Sequence, residues 1–312
     1  MRIDPNLLHP ELRQIKKIPQ IPFNRETLWL IRLLQNFLPK VKMPVGIQTE
    51  NINIPGNERD LTLRLRIVRP KSLLCLSPVL IWIHGGGYII GKPEMNDPFL
   101  YQMAHELGIL IVSIDYRLAP EHPFPAPLDD CYTALKWVYA NARLLNTDPN
   151  RIAIGGESAG GGLAASLCQL AYDRQDVKPI FQMLVYPMLD DRTCLRSNPL
   201  NKALMTWSPE SNRFGWEAYL KQKCGAERVP PYSVAARREN LSGLPPAWIC
   251  TGTLDLFYEE DLAYADQLKN CGVECELTVI PGAYHGFDFF GSKLKLVEYF
   301  RKSQIAALKR HL

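Results

Sequence analysis

The chain has 312 residues, 46% of them hydrophobic and 22% charged, with a formal net charge of +4. That profile is globular and long enough for one large α/β domain or two modest ones. So small a charge, with no lysine/arginine run longer than two residues, excludes nucleic-acid partners and polybasic membrane surfaces.

In chain order, the opening MRIDPNLLHPELRQ lacks an apolar run behind a basic patch, so no secretory leader is expected. No stretch approaches the ~18 uninterrupted apolar residues of a membrane span, so stable membrane insertion is not expected either. The first 45 residues are proline-rich and carry one amphipathic segment, RETLWLIRLLQNFL. Its apolar positions Leu28, Ile31, Leu34, Phe37 and Leu38 are spaced for a helix that buries one face. Within 46–76, the alternation in LTLRLRIV predicts an antiparallel strand with one wet face.

The texture then changes. VLIWIH, ILIVSID, RIAIGG, IFQMLVYP and AWICTGTLD are short apolar runs of the kind expected from parallel strands buried on both faces. DPFLYQMAHELG, DDCYTALKWVYANARLL, AGGGLAASLCQLAYDR and YEEDLAYADQLKNCG read as the helices between them. Strand and helix alternate, which predicts an α/β fold with a mostly parallel, doubly wound sheet. Residues 188–225 break that rhythm and carry no strand of their own, so they read as an insertion. The eight cysteines are scattered, with only Cys271 and Cys275 close together. That pattern predicts buried thiols in a reducing cytoplasm, with neither a zinc site nor a disulfide framework, and makes the Asn240-Leu241-Ser242 sequon incidental.

One strand–helix junction carries chemistry. Gly156-Glu157-Ser158-Ala159-Gly160 matches G-x-S-x-G, in which small neighbours let a strained turn lift the serine hydroxyl above the sheet. The following helix directs its N–H groups and the positive end of its dipole to the same place. The alternative is a glycine-rich strand–helix junction that packs closely or binds phosphate, although the Gly-x-Gly-x-x-Gly spacing of a dinucleotide loop is not met. A serine nucleophile needs a base, an orienting acid and an oxyanion site. His84-Gly85-Gly86-Gly87 ends one predicted strand as an H-G-G-G loop, Asp255 ends another, and His285 follows the next. Ser158, Asp255 and His285 thus stand in the chain order of this hydrolase arrangement. The spacing Gly86…Gly91-Lys92 imitates a phosphate loop, but Pro93 occupies the place of the magnesium-binding hydroxyl, so nucleotide binding is not expected.

With HGGGYIIG, DYRLAPEHPFPAPLDDCYTALKW, GGESAGG, the Asp255 turn and Tyr284-His285-Gly286-Phe287, the chain resembles the hormone-sensitive-lipase-like esterases (bacterial family IV) of the α/β-hydrolase fold. The resemblance runs over nearly the whole length. It implies Ser158 as nucleophile, His285 as general base, Asp255 as orienting acid, and the N–H groups of Gly86, Gly87 and Ala159 as the oxyanion hole. It also implies a structural role for His84 and a stabilising turn at Tyr116–Glu121. A hydrolase core of 46–187 and 226–312 follows, under a helical cap of 1–45 and 188–225. The family usually places Pro-Leu after the acid, whereas Leu256-Phe257 stand here, which keeps Glu259 as a competing acid.

The expected function is a serine carboxylesterase acting on short- to medium-chain acyl esters, with no metal or organic cofactor. Its expected partner is a small-molecule ester, with Tyr88, Trp207 and Phe214 as candidate pocket residues. An amidase or deacetylase using the same site is the enzymatic alternative. A non-catalytic receptor of the same fold is the other, and the presence of His285 argues against it. The oligomeric state stays open, a homo-oligomer included.

Overall fold

The computed structural model describes residues 5–15, 23–37, 41–73, 76–196 and 206–312. Eight strands form one sheet: β1 (Ile47–Pro55), β2 (Thr62–Pro70), β3 (Ser77–Ile83), β4 (Leu110–Ile114), β5 (Thr147–Glu157), β6 (Phe181–Val185), β7 (Ala247–Gly252) and β8 (Cys275–Ile280). Their spatial order is β1-β2-β4-β3-β5-β6-β7-β8. The β1–β2 and β2–β4 pairs are antiparallel, and every other pair is parallel. The sequence pattern calls one strand in 46–76, but two are present. The polar-rich IQTENINIP of β1 hides an edge strand whose face is half wet.

The continuous apolar runs follow from two-sided burial. Successive strand residues point to opposite faces, and on β3 the residues Val79, Ile81 and Ile83 join one core cluster while Leu80 and Trp82 join the other. The first cluster is closed by α3 (Ala126–Ala140), α5 (Ala159–Arg174) and α7 (Tyr258–Asn270), through Leu135, Leu167 and Leu268. The second is closed by α2 (Asp97–Leu107) and α9 (Lys295–His311), through Leu100, Met103 and Phe300. α3 stops at Asn141 and a short α4 (Ala142–Leu145) follows, so the apolar run to Leu145 is two helices and not one.

Strand order reverses around β3, since β4 lies on one side of it and β5 on the other. In open α/β sheets this is where a crevice forms beyond the strand carboxyl ends. The H-G-G-G loop leaves β3 here and Ser158 follows β5.

The insertion is helical where it is described, with α6 at Pro209–Leu220. The N-terminal helix α1 (Arg25–Gln35) begins with a capping box in which Asn24 accepts from Thr27 N–H and Thr27 Oγ1 accepts from Asn24 N–H. Its expected apolar face is corrected by the structure. Leu28 is buried and Ile31 partly so, but Leu34 and Phe37 are 52% and 75% exposed, and Leu38 lies outside the described residues. Arg32 and Gln35 occupy the inward side in their place, bonded to distant backbone and to Met95. Among the described residues, seven cysteines are free thiols, five of them buried. Cys75 lies outside that set. No described helix is long and apolar enough to cross a membrane.

Candidate active site

Ser158 sits between β5 and α5 with φ +53° and ψ −122°, a conformation that an L-residue holds only when its surroundings impose it. They do so through three backbone bonds. Ser158 N–H donates to Val185 C=O (2.9 Å), and Ser158 C=O accepts from Gly162 N–H (3.0 Å) and Met188 N–H (2.9 Å). The flanking glycines are there for space. A Cβ at Gly156 would lie 2.3 Å from the Gly160 carbonyl oxygen, and one at Gly160 would lie 2.1 Å from that of Ile83. Neither position accepts alanine without moving the turn.

Three loops converge on this hydroxyl. His285 Nε2 lies 2.9 Å from Ser158 Oγ, and His285 Nδ1 lies 2.8 Å from Asp255 Oδ2. The imidazole is held edge-on between the rings of Tyr186 and Phe257, with centroids 4.8 and 4.9 Å away. Its backbone carbonyl accepts a hydrogen bond from Thr206 Oγ1, a residue of the insertion. Asp255 is fully buried, and its second oxygen accepts from Phe257 N–H at 2.9 Å. The strand expected to end in Asp255 stops at Gly252. Asp255 belongs to the turn beyond it, closed by Asp255 N–H to Gly252 C=O and Tyr258 N–H to Asp255 C=O. That turn closes without proline. Glu259 stands in the first turn of α7, its side chain 64% exposed and 3.7 Å from Arg196.

Facing Ser158 is the loop after β3. Gly86 and Gly87 both have positive φ, and Ala159 is the first residue of α5. None of their three N–H groups is paired within the described residues. Gly87 also makes room for Trp207, because a Cβ there would lie 2.1 Å from the indole. His84 points away from the crevice. It is buried, stacked on Tyr116, and its Nδ1 lies 2.8 Å from Gly85 C=O. Burial lowers its pKa, against the opposing pull of the Gly85 carbonyl.

The three candidate pocket residues fare differently. Trp207 covers Gly87, with Phe23 beside it at 5.2 Å and Nε1–H directed to Asn212. Phe214 is partly buried on α6. Tyr88 is a correction. It is 1% exposed, stacked on Tyr219, and donates its hydroxyl to Met188 C=O, so it packs the core and lines no open wall. Phe23, Thr206 and the ring pair Tyr186 and Phe257 were missed by sequence reasoning. Their signal is purely tertiary, apart from Phe257, which stands two places after Asp255.

Glu157, just before Ser158, is buried, and burial pushes its carboxyl up to about 8. Asp288 adds to that rise, while hydrogen bonds from Asn96 and Gly85 oppose it. The folded protein therefore keeps a proton that the unfolded chain releases near ~4.3. Between those two values the native state binds more protons than the unfolded one, so stability falls as pH rises, by at most about 1.4 kcal/mol per unit. Glu157→Gln removes this contribution. Urea midpoints at about pH 5 and about pH 9 should show the wild type losing more stability than the variant. Parallel losses would rule this out.

Residues 80–289 match the family described as alpha/beta hydrolase fold. The chain is similar to the carboxylesterase NlhH of Mycobacterium tuberculosis, at 37% identity over 255 residues, covering 80% of this chain and 78% of that one. It is 30% identical to the ethyl acetate hydrolase of Pseudomonas putida, over 80% and 79% of the two chains. Among solved structures, it superposes on a bacterial heroin esterase with a TM-score of 0.89 and 34% identity, covering 98% of each chain.

Proposed function

The chain belongs to the hormone-sensitive-lipase-like carboxylic ester hydrolases of the α/β-hydrolase fold, and from that premise we propose that it cleaves short- to medium-chain acyl esters through Ser158, His285 and Asp255. The observation that carries this reading is the continuous chain from Ser158 Oγ through His285 to Asp255, with links of 2.9 and 2.8 Å. Ser158 Oγ attacks the ester carbonyl as His285 Nε2 takes its proton. The carbonyl oxygen, now an anion, is received by the N–H groups of Gly86, Gly87 and Ala159. His285 then protonates the departing alcohol, and a water molecule activated by the same nitrogen releases the acid from Ser158. Asp255 holds the imidazole with its Nδ1 protonated and offsets the charge that the ring acquires.

We assign residues 46–187 and 226–312 to the hydrolase core and 1–45 and 188–225 to a cap over the crevice, with the exception of residues 9–12, which dock on the core through buried Leu12, His9 N–H to Gly282 C=O and Leu296 N–H to Glu11. Phe23 against Trp207, Trp207 against Gly87 and Thr206 on the His285 carbonyl support that division. The same bulky indole beside the oxyanion loop favours short acyl groups, and one relative is named for ethyl acetate. Nitrophenyl acetate, butyrate, octanoate and palmitate test the preference. The expected kcat/KM is highest for acetate or butyrate and falls at least roughly tenfold by palmitate, because the Trp207 indole against Gly87 crowds the longer chain. A maximum at palmitate would refute the short-chain assignment. A nitroanilide of the same acyl group, cleaved as fast as the ester, would shift the reading to an amidase.

A further inference from the structure

Besides burying Leu28, helix α1 is attached beside the crevice by polar side chains where its sequence promises a longer apolar seam. The guanidinium of Arg32 makes three separate attachments. Nε donates to Ile89 C=O at 2.8 Å, Nη2 donates to Ala119 C=O at 2.7 Å, and Nη1 donates to both oxygens of Glu121 at 2.9 Å. One turn later, Gln35 Oε1 accepts from Gly91 N–H at 3.4 Å. Ile89 and Gly91 belong to the segment that begins with Gly86 and Gly87.

Two other carbonyls of that segment are held by backbone bonds. Ile89 and Ile90 N–H both donate to Gly86 C=O at 3.0 Å, and Tyr88 C=O accepts from Ala119 N–H at 2.9 Å. The Ile89 carbonyl is taken by Arg32. Arg32 therefore holds the carbonyl side of the Ile89–Ile90 peptide, whose N–H closes the turn onto Gly86, and adds a side-chain tie to Ala119 beside the Ala119 N–H bond to Tyr88. A guanidinium suits this task because its planar fork presents several donors in fixed directions, and charge-assisted bonds are about twice as strong as neutral ones.

We propose that Arg32 is a positioning residue for the oxyanion loop, so that docking of α1 sets the placement of the Gly86 and Gly87 N–H groups. The inference rests on the serine-hydrolase reading above. Oxyanion donors act only within a narrow distance range, and displacement by about 1 Å can cost on the order of 10²-fold in rate. Arg32 acts through the loop and not on the substrate, so its loss should lower kcat and leave KM nearly unchanged.

The test uses the full chain carrying Arg32→Ala and Arg32→Lys, assayed on an acetate ester. Each variant is also titrated with a trifluoromethyl ketone, whose adduct with Ser158 carries the oxyanion, and melted. The expected result is a fall in kcat of about 10- to 50-fold in both variants, with a parallel loss of ketone affinity. Lysine fails because one ammonium cannot bridge both carbonyls and Glu121. Methylguanidine should restore part of kcat to Arg32→Ala. If that variant does not fold, Arg32→Lys carries the test, since its charge still faces Glu121. A lowered melting temperature with unchanged kcat and ketone affinity would overturn the proposal and leave Arg32 as an anchor only. If the wild type neither hydrolyses the ester nor reacts with the ketone, the parent reading falls and this one with it.

Discussion

Ser158→Ala should lower ester hydrolysis by about 10⁵- to 10⁶-fold while leaving the melting temperature within a few degrees of wild type, because what remains is the modest acceleration from the oxyanion donors and binding. The substitution removes one oxygen whose bond is to His285 Nε2. It leaves the turn intact, since the bonds that hold φ at +53° are made by the Ser158 backbone to Val185, Gly162 and Met188. Alanine and serine meet the same steric cost in that conformation. A second variant sharpens the result. If nucleophile and base act as one device, His285→Ala costs a similar factor, and the double variant is no slower than either single one. Multiplying penalties would mean two independent roles. A phosphonate ester should add one group to wild type, located at Ser158 by mass spectrometry, and none to Ser158→Ala. Near-wild-type turnover in the alanine variant, or stoichiometric labelling elsewhere, would defeat the proposed mechanism.

The candidate triad was legible in the sequence because each member follows an apolar run, and in this topology strand carboxyl ends meet on one side of the sheet. Ser158 was the easiest to find, as Gly156 and Gly160 are demanded by contacts of 2.3 and 2.1 Å that no other residue can meet. Asp255 was singled out for an imperfect reason, since β7 stops at Gly252 and Asp255 lies in the turn beyond. α1 was misread because periodicity counts apolar residues but cannot know what a helix meets. Leu34 and Phe37 keep the spacing yet face outward, and Arg32 turns inward to carbonyls 57 and 87 residues away. Tyr88 shows the same limit. It was named as a pocket residue, but it has positive φ and its ring stacks in the core on Tyr219. Such outcomes depend on non-local partners, which composition and spacing do not encode.

Asp255→Asn should cut turnover by up to about 10⁴-fold on an acetate ester, whereas Glu259→Gln should cost less than about tenfold. The reason is one of proton placement. Asp255 has two committed oxygens, Oδ1 accepting from Phe257 N–H and Oδ2 facing His285 Nδ1. An asparagine can place its single carbonyl oxygen on only one of them. If that oxygen stays on the Phe257 N–H, the amide NH2 faces Nδ1 and donates to it, which forces the ring proton onto Nε2. That nitrogen can then no longer accept the Ser158 proton. Turning the amide the other way preserves the tautomer but sets an NH2 against the Phe257 N–H in a fully buried site, at a cost of about 1–3 kcal/mol. Either choice harms the site, and neither changes its shape. Glu259 offers no such lever, because its carboxylate is mostly in solvent and 3.7 Å from Arg196. Such an exposed pair contributes about 0–1 kcal/mol. In place of a proline turn, the Phe257 N–H holds Asp255 while the Phe257 ring packs edge-on against His285. Measuring both variants side by side separates the two carboxylates, and a larger loss in Glu259→Gln would move the orienting role off Asp255.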